Sequence, residues 1–454
     1  MTSAVDTNRH TSVSVSESEP VSQSAHYAAE LGRIVVRCMI CGAQVDGTAL
    51  RTSCAECGGL LDVLTPLQKL TPDAFNQPPA TAKHSGVWRY SPMLPRLPEQ
   101  AIVSRWEGNT PLYEDDRLTE YAGLDTGHLQ FKHEGQNPTG SFKDRGMTVG
   151  ISHAKAIGAR IVACASTGNT SASLASYASA AGIPSLVLVP QARISAGKIA
   201  QTIAYGAKVV QIDGDFDRAL SLLRQLTAAY DVYLVNSVNP FRLEGQKTII
   251  FEMMEQRGWK APDWIVLPGG NLGNTAAFGK AIVELRQSGL IDRVPHLAVV
   301  QAEGAAPFAA YHATGFEEYE PVQAETVATA IKIGDPASVP RAKRSIDATY
   351  GWVTTVSDAQ ILDAKAAIDA SGIGCEPASA ASLAGLRRLT SEGVIQPGQT
   401  AVALLTGHLL KDTDAVAAYH LDETAEAPAR ANKPLRVAAE LSALERALAD
   451  ALHG

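Results

Sequence analysis

One lysine in this chain has neighbours that a surface lysine does not need. Lys143 sits in HEGQNPTGSFKDRG, residues 133–146, behind a run of glycine, proline and small polar residues. Glycine and proline set backbone angles that other residues resist, so such a run makes a shaped loop. A plain loop entering a helix has this composition. So does a loop that holds an amine for covalent chemistry with a carbonyl. Three further stretches offer hydrogen-bonding groups. Ser166-Thr167-Gly168-Asn169-Thr170 and Gly269-Gly270-Asn271-Leu272-Gly273-Asn274 each follow an apolar run and open a helical stretch, and Thr406-Gly407-His408 ends another apolar run. A glycine-rich turn at a helix start presents backbone N–H groups and the positive end of the helix dipole, which suits a phosphate. The glycine-rich stretch lacks the Gly-Lys-Ser/Thr of a P-loop and does not fit G-x-G-x-x-G. Taken singly, each of the three is equally an ordinary turn or N-cap.

A second constellation lies near the N-terminus. Cys38 and Cys41 form one C-x-x-C, Cys54 and Cys57 another, and Gly42 and Gly58 follow the two pairs. This is the spacing of a zinc ribbon, in which four thiolates meet one tetrahedral ion. A cluster without metal and a pair of redox dithiols share the pattern. A redox pair belongs beside a βαβ unit, which this stretch lacks, so a structural zinc is the preferred reading. Cys164 and Cys375 stand in apolar surroundings and are expected in the core.

These residues need elements to position them. Short apolar runs at 128–134, 160–166, 184–190, 207–213, 232–237, 264–270, 296–303 and 400–407 read as strands covered on both faces. Helical stretches such as SASLASYASAAG and NTAAFGKAIVELRQSG alternate with them. Repeated βα units predict mostly parallel sheets flanked by helices, with ligands at the carboxyl ends of the strands. The four stretches above fall at such ends or at the helix that follows.

The 454 residues suffice for two or three domains, and a formal charge of −8 gives no footing for nucleic acid or an anionic membrane. No apolar run approaches the roughly 20 residues of a membrane span, so no membrane partner is expected. The first 25 residues lack a basic start followed by an apolar core, which argues against a signal peptide and for a cytoplasmic protein. Residues 1–30 read as a disordered tail, 31–64 as the zinc-ribbon-like segment and 65–414 as the main body. Residues 415–433 read as a linker, and 434–454 as an amphipathic helix that packs on its own chain or serves as a dimer arm.

Taken together, the amine, the STGNT loop, the anion loop and the late threonine match one cofactor. Pyridoxal 5'-phosphate needs an amine for its aldehyde, N–H groups for its phosphate, a donor to its ring hydroxyl and a partner for its ring nitrogen.

The chain also resembles the threonine synthases, a family of fold-type-II pyridoxal-phosphate enzymes. EGNTPLY (107–113), NPTGSFKDRG (137–146), ASTGNTSAS (165–173), NSVNPFRLEGQKT (236–248), PGGNLGN (268–274), AIKIGDPAS (330–338) and LTGHLLKD (405–412) carry the likeness, across roughly residues 34–414. The resemblance implies two three-layer α/β/α domains around mostly parallel sheets, the smaller and mobile one, about 140–235, inserted in the larger. It implies that Lys143 bonds the cofactor aldehyde and later moves protons. Asn169 meets the ring hydroxyl, Gly270, Asn271, Leu272, Gly273 and Asn274 hold the cofactor phosphate, and Thr406 meets the ring nitrogen. Ser166, Thr170, Asn236, Ser237 and Arg242 hold a substrate phosphate. The implied reaction converts O-phospho-L-homoserine and water to L-threonine and phosphate, in a homodimer. Two other readings share most of these residues. One is a related enzyme on another phosphorylated amino acid, such as a cysteate synthase using O-phosphoserine and sulfite. The other is a β-eliminating lyase or dehydratase, which has no use for Asn236, Ser237 and Arg242. Leu409 stands where many members carry glycine, which puts the packing behind Thr406 in question.

Overall fold

The computed structural model describes residues 31–65, 67–76, 84–191, 196–214, 216–421 and 428–453. The tail expected over residues 1–30 lies outside the described residues.

Two parallel sheets carry the body. The larger runs in the order β12 (Trp352–Val356), β11 (His296–Ala302), β10 (Trp264–Pro268), β13 (Ala401–Leu405), β5 (Leu129–His133) and β4 (Leu112–Tyr113). Every pairing is parallel except that of the edge strand β4 with β5. The smaller is β8 (Lys208–Ile212), β7 (Ser185–Pro190), β6 (Ile161–Ala165) and β9 (Val232–Leu234), parallel throughout. Strand β12 was not anticipated: in WVTTV two adjacent threonines interrupt what would otherwise be a continuous apolar run.

Alternation along the strands builds two cores per sheet, since successive side chains point to opposite faces. On the larger sheet, Ile265, Leu267, Val299 and Leu404 face helices α6 (Pro240–Gln256), α7 (Gly273–Ser288) and α9 (Val339–Thr349). Val266, Val300, Ala403 and Leu405 face α1 (Asp116–Ala122), α10 (Asp358–Ala370) and α11 (Pro377–Ser391). On the smaller sheet, Val162, Cys164 and Val187 pack on α2 (Lys143–Ala156) and α3 (Asn169–Ala181). Its other face packs on α5 (Phe216–Ala229). Helices α4 (Ala196–Ala204) and α8 (Pro307–Ala313) complete the body. Both sheets therefore have helices on both sides, the layering expected of a fold-type-II enzyme. Cys164 and Cys375 are buried in these cores.

The N-terminal segment is an antiparallel ribbon of β2 (Gln44–Asp46), β1 (Val35–Cys38) and β3 (Leu61–Leu64). Its apolar face shares a cluster with Trp88, Val149 and Phe241, and Asp62 pairs with Arg341 of α9 at 3.2 Å. The ribbon thus braces the start of α6.

At the other end, part of the stretch expected as linker is helical: α12 (Thr413–Leu421) continues the body past residue 414. The terminal helix α13 (Leu441–His453) starts later than expected, and Leu441, Leu444 and Leu448 on it are exposed.

Candidate active site

The carboxyl ends of the two sheets face one cleft of about 1680 Å³. Lys143, the Ser166–Thr170 loop, Asn236, Ser237, Arg242, the Gly270–Asn274 loop and Thr406 all line it. Every cofactor and substrate residue singled out above is therefore brought to one wall or the other.

Backbone pairing places Lys143 and Thr406 side by side. Phe142 N donates to Thr406 O at 3.0 Å, His408 N donates to Gly140 O at 2.9 Å, and Ser141 bridges Gly407. Asp144 fixes the loop's shape, accepting from Thr139 N at 2.7 Å, Thr139 Oγ1 at 2.7 Å and Ser173 Oγ at 2.6 Å. Two residues after Lys143, Arg145 enters a buried network of balanced charge. It grips Glu134 at 2.6 Å and 2.8 Å and reaches Glu252 at 2.8 Å, and Lys132 meets Glu252 at 2.6 Å. Although burial opposes it, the Arg145 and Lys132 cations hold Glu252 well below the usual carboxylate range. The amine of Lys143 is thus mounted on a rigid helix start. Burial, and then the nearby Arg242 charge, bring its pKa down to about 7 against the opposing pull of Glu376. Such an amine is partly neutral at neutral pH, as a nucleophile or proton carrier must be.

The anion loop opens α7. Leu272 has a left-handed backbone, φ 60°, which costs about 1–2 kcal/mol in a residue with a Cβ. Strain of this kind persists where the surroundings over-determine it. A Cβ at Gly270 would lie 3.2 Å from both Ala330 O and Ile331 Cα, so the glycine keeps open a cradle against that neighbouring loop. The first N–H groups of a helix have no intrahelical acceptor, and here they face the cleft. The side chain of Asn274 is held separately, Oδ1 accepting from Gln246 Nε2 at 2.7 Å.

Arg242 is buried at the start of α6, whose N-cap Asn239 accepts from Arg242 N at 3.3 Å. Its Nη1 donates to Val235 O at 2.9 Å, while Nε has no partner. Among the described residues no carboxylate pairs with it. Burial brings its pKa down to about 10, with only Cys164 opposing. Asn236 behaves differently from the expectation. Its Nδ2 donates to Ala165 O and its Oδ1 accepts from Ala165 N, both at 3.0 Å. Much of its hydrogen-bonding capacity is spent on fixing the end of β6, next to Ser166.

Two cleft residues, Glu376 and Lys411, and one buried residue behind the cleft, Ser379, were not assigned roles from the sequence. Glu376, just before α11, accepts from Asn169 Nδ2 at 3.1 Å and 3.0 Å and from Thr406 Oγ1 at 3.4 Å. Burial pushes its pKa up, against the pull of Asn169, Lys411 and Lys143. Ser379, one turn on, bonds Thr406. Lys411 donates to Thr139 O at 3.1 Å and, across the cleft, to Gln201 of α4 at 2.5 Å. Lys411 stands inside a quoted motif, but nothing in the local pattern marked CEPASAAS. Leu409 packs beside Gly374, where a Cβ would come within 3.4 Å of it.

The residues fit pyridoxal phosphate. A cleft amine with a depressed pKa, a glycine cradle at a helix start and hydrogen-bonding Asn169 and Thr406 are the donor set that cofactor requires. In the ribbon, the four sulfurs also fit a metal. Cys38–Cys57, Cys41–Cys54 and Cys41–Cys57 are 3.4, 3.6 and 3.5 Å apart, and all four lie within 4.8 Å of one another. Zinc–sulfur bonds of about 2.3 Å in a tetrahedron set sulfurs about 3.8 Å apart.

The layering and the cleft define a fold-type-II pyridoxal-phosphate enzyme. The family model described as "Pyridoxal-phosphate dependent enzyme" matches residues 103–407. The threonine synthase of Methanocaldococcus jannaschii is 42% identical over 414 residues, covering 91% of this chain and 98% of that protein. That of Mycobacterium tuberculosis is 46% identical over 343 residues, 74% of this chain and 92% of its own. The solved threonine synthase of Escherichia coli is 19% identical and superposes with a TM-score of 0.68, covering 92% of this chain and all of the other, which supports the fold. The chain belongs to the threonine synthase family of pyridoxal-phosphate dependent enzymes.

Proposed function

We propose that this chain converts O-phospho-L-homoserine and water to L-threonine and phosphate, and that the residues of the cleft divide the work as follows. Arg242 carries the assignment of substrate. It is a buried guanidinium lining the cleft, with an unpartnered Nε and no carboxylate bonded to it among the described residues. A phosphate dianion supplies both the missing charge and the missing acceptor. Ser166, Thr170 and Ser237 add hydroxyls around it, and Asn236 holds the Ser166 loop while one amide hydrogen stays free for the substrate.

Pyridoxal phosphate, held by Lys143, Asn169, Gly270, Asn271, Leu272, Gly273, Asn274 and Thr406, supplies the electron sink that acidifies the substrate α C–H. Lys143 Nζ takes that proton. A Cβ proton is then lost as the phosphate leaves Cγ, and Cγ gains a proton. Water adds its hydroxyl at Cβ, and Lys143 returns a proton to Cα at the end. Arg242 keeps the phosphate in place while its bond to Cγ breaks, and holds it beside Cβ, where the water adds. The smaller sheet with α3, α4 and α5 moves as one mobile unit, and its closure excludes bulk water until the phosphate has left. Lys411 and Gln201 bridge the mouth of the cleft and support that reading.

A zinc ion on Cys38, Cys41, Cys54 and Cys57 stiffens the ribbon, a role supported by the sulfur spacing. A cytoplasmic setting is supported by the six unpaired cysteines. A homodimer is supported by the exposed leucines of α13, an apolar stripe that a second copy would cover. No helix among the described residues is long and apolar enough to cross a membrane.

The test is an end-point assay of the cofactor-loaded protein with O-phospho-L-homoserine, reading phosphate and threonine. Equal amounts of both establish the reaction. Phosphate without threonine, or neither product, refutes it.

A further inference from the structure

Ser379 lies buried in the first turn of α11, behind Thr406. A hydroxyl has two lone pairs and one proton. The Oγ of Ser379 accepts from Thr406 N at 2.8 Å and from Gly407 N at 2.9 Å, which uses both lone pairs. Its proton can then go to Thr406 Oγ1 at 2.9 Å or to Gly407 O at 3.4 Å. The shorter contact has the normal length for an O–H···O bond. Thr406 Oγ1 therefore accepts from Ser379, and its own proton must point elsewhere. The remaining acceptor among the described residues is Glu376 Oε1 at 3.4 Å, on the cleft side.

We propose that Ser379 is a positioning residue: it fixes the Thr406 hydroxyl as a donor into the cleft, so that the cofactor's ring nitrogen is held as an unprotonated acceptor. This rests on the reading of Thr406 as the partner of that nitrogen. The titratable groups around the site are Glu376 before α11, Lys143 at the start of α2, and His408, Lys411 and Asp412 after β13. None of them takes the place of Ser379, because none bonds both the backbone and the side chain of Thr406 among the described residues. Glu376 is already bonded to Asn169 through both oxygens.

The experiment loads the full-length protein with pyridoxal phosphate carrying nitrogen-15 in the ring and follows the nitrogen chemical shift against pH. This reads the protonation of one atom and is blind to a loss of general stability. The unmodified protein should show the unprotonated signal through neutral pH. Ser379→Ala should raise the nitrogen's titration midpoint by about one pH unit, a tenfold gain in proton affinity. Ser379→Thr, which keeps the hydroxyl, should restore the original behaviour. A protonated nitrogen in the unmodified protein at neutral pH overturns the inference without any variant, even where Ser379→Ala does not fold. A Ser379→Ala protein titrating like the unmodified one, while Thr406→Val does not, overturns the role of Ser379 alone. No change in either variant overturns the assignment of Thr406 with it.

Discussion

Replacing Arg242 by methionine should make the protein more stable and a much poorer enzyme. The guanidinium is buried without a counter-ion among the described residues, and burial brings its pKa well below the usual arginine value, to about 10. A depressed pKa on a base means that folding works against the charge. The penalty is fully present below pH 10 and is relieved only as pH rises through that value towards the ordinary arginine pKa. At neutral pH it amounts to about 3 kcal/mol. Methionine removes this penalty and loses the bond to Val235 O, worth about 1 kcal/mol. The net expectation is a gain of about 2 kcal/mol, read as a Tm a few degrees higher in the absence of phosphate. Turnover moves the other way. Two charge-assisted hydrogen bonds to a phosphate are worth about 3–6 kcal/mol, so KM for the phosphorylated substrate should rise about 100-fold or more. The visible spectrum of the bound cofactor should stay the same. Inorganic phosphate at about 100 times its Kd should stabilise the unmodified protein by about 2.7 kcal/mol and leave the variant unmoved. Calorimetry with and without phosphate, beside steady-state kinetics, tests the reasoning. An unchanged KM, or a variant that melts well below the unmodified protein, refutes it.

Lys143→Ala should abolish turnover and the cofactor's visible absorbance together; retention of either would show that another amine does the work. In the cofactor-free protein, the rate at which Lys143 takes up pyridoxal phosphate should rise with pH to a midpoint near 7 and level off, since its pKa falls to about 7; a midpoint near 10 would contradict the burial argument. Glu252→Gln should cost about 3–5 kcal/mol in chemical denaturation, because Lys132 and Arg145 would keep a single carboxylate between them. Cys57→Ser should lower the zinc content measured by atomic spectroscopy and reduce Tm, and it should also raise KM, since the ribbon packs on Phe241 beside Arg242.

The sequence and the structure agree where the signal is local, and part where it is spatial. Continuous apolar runs such as WIVLP and AVALL announce strands buried on both faces, and the loops that follow them collect at one cleft because parallel strands share a direction. WVTTV escaped this reading, since its two adjacent threonines interrupt the apolar run. The linker expected after residue 414 failed for a related reason: TDAVAAYHL has no apolar stripe, and its helix α12 follows the body without a turn signal to mark the join. Glu376 and Ser379 were illegible for a stronger reason. They act on residues 207, 30 and 27 positions away, through Asn169 and Thr406, and such distances leave no trace in the local pattern.

The same point explains why Asn236 was assigned too simply. Its residue type suits a phosphate ligand, but the Ala165 backbone claims much of its amide. A motif can deliver a side chain to the cleft without saying which way its hydrogen bonds run. Lys143, Arg242 and Thr406 differ in that their hydrogen-bonding or charge capacity remains unspent: a half-neutral amine, a guanidinium without a carboxylate partner among the described residues, and, on the reading proposed above, a hydroxyl proton directed by Ser379. Unspent capacity in a buried group is costly unless something else occupies it. Those three costs meet at one cleft, and a phosphorylated amino acid together with a phosphorylated pyridine aldehyde would offset all of them at once.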